Sequence, residues 1–227
     1  MTHDALLLIG RQTAHAPETL ETHATRLRHR GVAESVRTAT YDSEPVRELR
    51  DSFESVEVDR VFTVPFFTAH SHETTTDLPA ALSYLPGDAR YCEPLGHSPA
   101  ITDAILARAT DELKADADTT LVLVGFGSSS QPYHRQVAED HASRLRESSA
   151  YADVNTCYLL QNPTVECARY NIDTDRAVAV PLFAVRSEAT NSEIPTKLEL
   201  DRGGIHYADP LGEHHLVTDA IAAELAK

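Results

Sequence analysis

Lysine and tryptophan are scarce in this chain of 227 residues: only three of its 20 cationic residues are lysines, and it has no tryptophan. Acidic residues outnumber cationic ones by 35 to 20, which gives a formal net charge of −15. A field of that sign repels nucleic acid and anionic membrane surfaces, so we expect neither as a partner. An acidic, lysine-poor surface is typical of proteins kept dispersed in concentrated salt, which predicts a halophilic protein; an acidic mesophilic protein is the alternative.

Cysteine pairs and long apolar runs are missing as well. The three cysteines form no Cys-x-x-Cys motif and their number is odd, so the sequence indicates neither a disulfide framework nor a thiolate metal site. The longest apolar run near the start, 5–9, is too short for a signal peptide or a membrane span. We therefore expect a cytoplasmic location.

The sequence does contain an internal repeat. Four segments recur in the same order, the first pair at an offset of 118 and the others at an offset of 116. The matched pairs are 23–28 with 141–146, 64–67 with 180–183, 94–96 with 210–212, and 102–105 with 218–221. So many ordered matches predict two copies of one unit, with domains at 1–113 and 118–227.

Each half alternates strand and helix patterns. Short apolar runs predict four buried parallel strands per half. These strands are 5–9, 32–41, 60–67 and 89–92 in the first half, and 119–124, 152–160, 176–183 and 205–207 in the second. Helices are expected to start near 79 and 195 and to close each half at 102–113 and 218–225. The alternation predicts an α/β fold with two tandem duplicated lobes, each a parallel sheet with helices on both faces.

Two histidines and a glutamate follow the third strand of the first half. His70, His72 and Glu73 offer two imidazoles and a carboxylate, a set that suits a borderline divalent ion such as Co²⁺, Ni²⁺ or Zn²⁺. The second half has no histidine at the matching positions 186, 188 and 189. We predict that these three residues bind the metal and supply the catalytic base. Solvated histidines in a histidine-rich chain are the alternative.

A second candidate site follows the first strand of the second half. Gly125, Gly127 and Ser128 open a helix there, so their backbone N–H groups could hold an anionic part of a substrate. A tight turn from strand to helix is the alternative. The segment is not a P-loop, because no Gly-Lys-Ser/Thr follows. Other histidines lie near strand ends, and the sequence assigns them no role: His15, His97, His134 and His214.

Taken together, these motifs resemble the CbiX-type sirohydrochlorin cobaltochelatases, which belong to the class II chelatases. The resemblance is carried by the strand ending in glycine at 121–125, by Val-Pro-Phe-Phe at 64–67 and Val-Pro-Leu-Phe at 180–183, by Asp-Leu-Pro at 77–79, and by Pro-Leu-Gly at 94–96 and 210–212. It implies a two-lobed α/β fold and the insertion of Co²⁺ into a carboxylate-rich tetrapyrrole in cobalamin biosynthesis. The metal is then a substrate, and no organic cofactor is implied.

The resemblance also implies two metal-handling histidines in the first lobe, one after the first strand and one eight residues after the Val-Pro proline. Arg11 and Glu73 stand at those two positions. Arg11 could instead clamp a carboxylate of the macrocycle, because a guanidinium binds carboxylates in a bidentate manner. Two alternatives to a cobaltochelatase therefore stay open: a non-catalytic paralogue that binds tetrapyrrole or metal, and an unrelated enzyme on the same scaffold.

Overall fold

The computed structural model describes residues 4–50, 53, 60–85 and 88–225. The strands are β1 (Asp4–Arg11), β2 (Ser35–Tyr41), β3 (Arg60–Pro65), β4 (Asp88–Tyr91), β5 (Thr119–Gly125), β6 (Asp153–Tyr158), β7 (Arg176–Pro181) and β8 (Ile205–Tyr207). The α-helices are α1 (Ala16–Arg30), α2 (Pro45–Glu48), α3 (Leu78–Leu82), α4 (Ala100–Glu112), α5 (Tyr133–Ser148), α6 (Ile194–Lys197) and α7 (His215–Leu225).

The chain forms two compact units. Unit 1 comprises Met1–Ser98 together with Glu213–Lys227, and unit 2 comprises Pro99–Gly212. Each unit contains a four-stranded parallel sheet, in the order β2-β1-β3-β4 in unit 1 and β6-β5-β7-β8 in unit 2. The same strand order in both units confirms the predicted α/β fold with duplicated lobes.

The central strands β1 and β5 consist mainly of apolar residues that are buried. Continuous burial is expected for a central strand of a parallel sheet that has helices on both faces. In unit 1 the core on one face of the sheet includes Leu7, Ile9, Tyr41 and Leu78. The short apolar runs in the sequence therefore predicted β1 and β5 correctly. The neighbouring strand β2 begins at Ser35 rather than at the predicted residue 32.

A π-helical turn precedes the short helix that follows the third strand of each sheet. These turns are Glu73–Asp77 before α3 and Ala189–Glu193 before α6. In unit 1 the N–H of Leu78 bonds to the carbonyl of Glu73, five residues earlier, and the next residue, Pro79, has no N–H to donate. The predicted helix starts near 79 and 195 are confirmed, whereas the sequence did not predict the turns in front of them.

The two sequence repeats and the two compact units differ in their closing helices. Helix α4, from the first repeat, packs on β7 and α5 in unit 2, whereas α7, from the second repeat, packs on α1 and β3 in unit 1. A buried histidine–threonine hydrogen bond anchors each helix: His23 Nδ1 lies 2.8 Å from Thr218 Oγ1, and His141 Nδ1 lies 2.9 Å from Thr102 Oγ1. The domains 1–113 and 118–227 stay a prediction, based on the repeat.

Among the residues that the structure describes, no helix combines the length and the hydrophobicity needed to cross a bilayer.

Candidate metal site

Two neighbouring loops meet at the carboxyl edge of the unit 1 sheet. One follows β3 and the other follows β4, and the second contains a 3₁₀ turn at Leu95–His97. The N–H of Gly96 donates to the carbonyl of Phe67 over 3.1 Å. A Cβ atom built on Gly96 would lie 1.8 Å from the carbonyl oxygen of Thr68, so only glycine lets the two loops approach this closely.

Strand β4 also fixes the π-helical turn. The hydroxyl of Tyr91 donates to the carbonyl of Thr74 over 2.8 Å. The buried Thr74 hydroxyl oxygen accepts the N–H of Ser71 over 2.8 Å, which closes the start of the turn. Burial raises the pKa of Tyr91, so the phenol keeps the proton that it donates. The loop that carries His70 is therefore held at both ends by hydrogen bonds.

These two loops bring together His70, Glu93 and His97. His70 Nε2 lies 2.9 Å from a carboxylate oxygen of Glu93, and the His70 and His97 ring centroids are 4.9 Å apart. One potential ligand atom from each of the three residues lies within 4.8 Å of the other two. Both histidines are half-buried and Glu93 is exposed. Two imidazoles and a carboxylate at this spacing can bind one divalent ion.

The structure places the other two predicted metal ligands elsewhere. His72 is 79% exposed, and its Nε2 lies 3.6 Å from a carboxylate oxygen of Asp77. Glu73 accepts a hydrogen bond of 3.0 Å from Arg11 Nη1. Of the predicted set, only His70 belongs to the cluster with Glu93 and His97. The assignment of His72 and Glu73 as ligands stays a prediction.

Arg11 and Glu73 occupy the two positions at which the family resemblance implies metal-handling histidines. They form an ion pair whose side chains are 55% and 26% exposed. A permanently charged guanidinium repels a metal ion and also neutralises the carboxylate that could attract one. The ion pair at these two positions therefore differs chemically from a pair of histidines.

Unit 2 has a different pair of residues at the positions of His70 and Glu93. The repeat offset of 116 matches these residues with Arg186 and Asp209. Arg186 Nη2 lies 2.6 Å from a carboxylate oxygen of Asp209. The carboxylate after the fourth strand thus has a cationic or imidazole partner in both units.

The glycine–serine loop of unit 2 is a closed turn. Gly127 has a positive φ of +77°, and the N–H of Ser128 donates to the side-chain oxygen of Gln161 over 3.3 Å. The N–H groups of Ser130 and Gln131 donate to the Ser128 hydroxyl. These bonds use N–H groups that an anion would need. A substrate-binding role for Gly125, Gly127 and Ser128 stays a prediction.

Glu93 was not among the ligands predicted from the sequence, and His97 had no predicted role. A signal for both was present, because Glu93 and His97 follow β4 directly and β4 lies beside β3. The carboxyl ends of neighbouring parallel strands share one edge of the sheet, so residues after β4 are neighbours of those after β3. What the sequence does not show is the close approach at Gly96 that brings His97 next to His70.

Comparisons with known proteins agree with this architecture. The chain is 26% identical over 221 residues to a protein of Halobacterium salinarum named probable sirohydrochlorin cobaltochelatase, and the match covers 84% of this chain and 75% of the relative. A multi-domain protein of Deinococcus radiodurans with structural similarity to chelatases superposes with a TM-score of 0.81 at 26% identity. That match covers all of this chain but only 55% of the Deinococcus protein.

A third relative is the sirohydrochlorin chelatase SirB of Bacillus subtilis subspecies spizizenii, solved in complex with cobalt. It superposes with a TM-score of 0.77 at 16% identity, covering 98% of this chain and 94% of SirB, which shows a shared fold. The CbiX family model matches residues 5–112 and again residues 120–227, which are nearly the whole of both sequence repeats. This chain therefore belongs to the CbiX family.

Proposed function

We propose that this protein is a tetrapyrrole metal chelatase that inserts Co²⁺ into a carboxylate-rich macrocycle of the sirohydrochlorin type, in cobalamin biosynthesis. The observation that carries the proposal is the CbiX match over both repeats. The imidazoles and carboxylates at the carboxyl edge of unit 1 support the proposal, because they can bind a divalent ion and accept protons.

The reaction makes modest demands on the protein. Two pyrrole N–H protons leave the macrocycle, and ring nitrogens replace water on the metal. The chemistry needs ligands that hold the ion and then release it, and a base with a pKa near neutrality, both of which imidazole supplies. The metal is a substrate, and no oxidation or reduction takes place, so the reaction requires no organic cofactor.

Within this proposal the residues of unit 1 have distinct tasks. His70 is the predicted ligand or base, and it lies in the cluster with Glu93 and His97. The other two predicted members, His72 and Glu73, lie outside that cluster, beside Asp77 and Arg11. Arg11 uses one nitrogen to bind Glu73 and is 55% exposed, so its other N–H groups can bind a carboxylate of the macrocycle. A high-salt cytoplasm is the proposed setting, on the evidence of the acidic composition.

The test is an insertion assay without oxygen, with sirohydrochlorin and Co²⁺, followed by the change in the absorption spectrum of the macrocycle. The parent protein should accelerate insertion over the spontaneous reaction, and H70A should lose at least 90% of that acceleration. H29A replaces an exposed histidine on α1 and should keep the parent rate. A parent protein that adds nothing to the spontaneous rate would contradict the proposal.

The second candidate function is a non-catalytic protein that binds tetrapyrrole or metal. The Arg11–Glu73 ion pair favours it, because a salt bridge stands where the family resemblance implies two histidines. The same assay separates the two functions. A binding protein would shift the macrocycle spectrum in stoichiometric amounts without turning over, whereas a chelatase would convert many equivalents.

A further inference from the structure

We infer that His70, Glu93 and His97 bind the divalent ion, and that Arg11 and Glu73 do not. This inference deepens the proposed function, because the bound ion would be the one inserted. It can nevertheless be tested without the macrocycle, since a metal-binding measurement needs only the protein and the ion. It adds two ligands, Glu93 and His97, to the residues predicted from the sequence.

The three side chains are close enough to share one ion. A four-coordinate ion with ligand bonds of about 2.1 Å separates its ligand atoms by about 3.4 Å. The candidate atoms of His70, Glu93 and His97 all lie within 4.8 Å of one another, and the His70–Glu93 distance is already 2.9 Å. Small side-chain rotations are therefore enough to form the site, while the backbone is held by the Gly96 and Tyr91 hydrogen bonds.

The donor atoms of the three side chains suit a divalent transition-metal ion. Two imidazoles and one carboxylate are borderline ligands that suit Co²⁺, Ni²⁺ and Zn²⁺, and three protein ligands leave at least one position for water. Glu93 is exposed, so solvent can reach the cluster. An ion held in this way can exchange its water for a ring nitrogen, which a closed site with four protein ligands would prevent.

Unit 2 has an ion pair at the two positions that match His70 and Glu93. Asp209 stands at the position of Glu93, and the guanidinium of Arg186 lies 2.6 Å from its carboxylate. A permanent positive charge thus occupies the place that the ion would take in unit 1. In unit 1 an imidazole takes the place of this guanidinium. A neutral imidazole has a nitrogen acceptor that can bind a metal ion, whereas a guanidinium has no acceptor.

The neighbouring residues are less suitable. Glu73 is bonded to Arg11, so a cation there would meet the charge of the guanidinium. His72 is 79% exposed, and its Nε2 lies 3.6 Å from a carboxylate oxygen of Asp77. A site at His72 and Glu73 would need both side chains to leave these partners.

The experiment is a titration of the full-length protein with Co²⁺, followed by calorimetry and by the visible absorption of the bound ion. E93Q and H97A should each weaken binding at least tenfold, and H70A should weaken it at least as much. E93Q changes an exposed side chain, so its fold should be intact, which thermal melting checks. H29A is the matched control for loss of a histidine and should bind as the parent does.

Two further variants separate the competing ligand sets. H72A and E73Q should leave Co²⁺ affinity within about threefold of the parent, since neither residue is in the inferred site. The inference is overturned if H72A or E73Q abolishes binding while folded E93Q and H97A bind normally, or if the parent binds no Co²⁺. A parent that binds Co²⁺ at these residues but inserts none would leave the inference intact and refute the proposed function instead.

Discussion

At the scale of single residues, Gly96 shapes the candidate site. It brings the loop after β4 against the backbone of Thr68, and this approach places His97 beside His70. His70 could be predicted from the sequence, because it follows an apolar strand together with other potential ligands. His97 could not be paired with it in the same way, because its proximity to His70 depends on a backbone contact that no local pattern encodes.

The first prediction concerns Gly96→Ala. The added Cβ would meet the Thr68 carbonyl oxygen at 1.8 Å, so the two loops must separate. We expect the free energy of unfolding to fall by about 1–3 kcal/mol, as for other overpacked sites. Co²⁺ affinity should fall at least tenfold, because the ligands of the two loops move apart. Chemical denaturation and the Co²⁺ titration measure the two effects.

Gly212→Ala is the matched control, since the repeat places Gly212 at the position of Gly96. The nearest atom to its added Cβ is the carbonyl oxygen of Pro210 at 3.6 Å, although its φ of +45° imposes some strain. The control should therefore be mildly destabilised and should bind Co²⁺ normally. Equal loss of affinity in both variants would show that the contact with Thr68 does not position the site.

At the scale of elements, the strands were predictable and the turns at the site were not. Apolar runs are sufficient for the strands, because both faces of the central strands are buried. The π-helical turn at Glu73–Asp77 forms where a helical segment meets Pro79 and where Tyr91 bonds to Thr74. The second of these interactions comes from a strand that is distant in the sequence, so sequence reasoning could predict a helix start at the proline but not the turn.

The second prediction concerns the loop after β2, which is held by Glu48. Its carboxylate accepts the backbone N–H groups of Asp42 and Glu44 over 2.7 Å and of Ser43 over 3.1 Å. The bond from Asp42, followed by those from Glu44 and Ser43, lowers the pKa of Glu48. A carboxyl group whose pKa is lowered on folding stabilises the folded state above its unfolded pKa, and this stabilisation is lost as the pH falls through the folded value.

E48Q should therefore melt at a lower temperature than the parent at pH 7. The difference should shrink as the pH falls from 4.5 through the lowered pKa, because the parent carboxylate is then protonated as well. Melting curves between pH 7 and the lowest pH at which the parent folds measure this trend, with E112Q as a control on the exposed end of α4. A deficit that is the same at every pH would mean that the charge of Glu48 is not responsible.

At the scale of the whole molecule, net charge dominates the expected response to salt. The chain has 35 acidic and 20 cationic residues, which gives it a formal charge of −15. Self-repulsion of this kind destabilises a compact state, and salt screens it, since the Debye length falls from about 10 Å at 0.1 M to about 3 Å at 1 M. The halophilic character predicted from composition can be tested through this dependence.

The third prediction is that the melting temperature rises by at least several degrees between 0.1 M and 2 M KCl. A triple variant, D111N/E112Q/E147Q, removes three exposed carboxylates and changes the formal charge from −15 to −12. It should show a smaller rise than the parent if repulsion is the cause. A melting temperature that falls with KCl would contradict the prediction and favour an acidic mesophilic protein.

Each compact unit contains the closing helix of the other sequence repeat, and this arrangement has a consequence for synthesis on the ribosome. Unit 2 is continuous in the chain, so all of it has been translated once Gly212 is added. Unit 1 is begun first but lacks α7 until residues 215–225 have been made, and α7 packs on β3 and on the turn Leu95–His97 that carries one inferred metal ligand. The nascent chain therefore completes the surroundings of the inferred metal site after unit 2, and a message truncated before residue 215 would encode every inferred ligand without the helix that packs on the turn of His97.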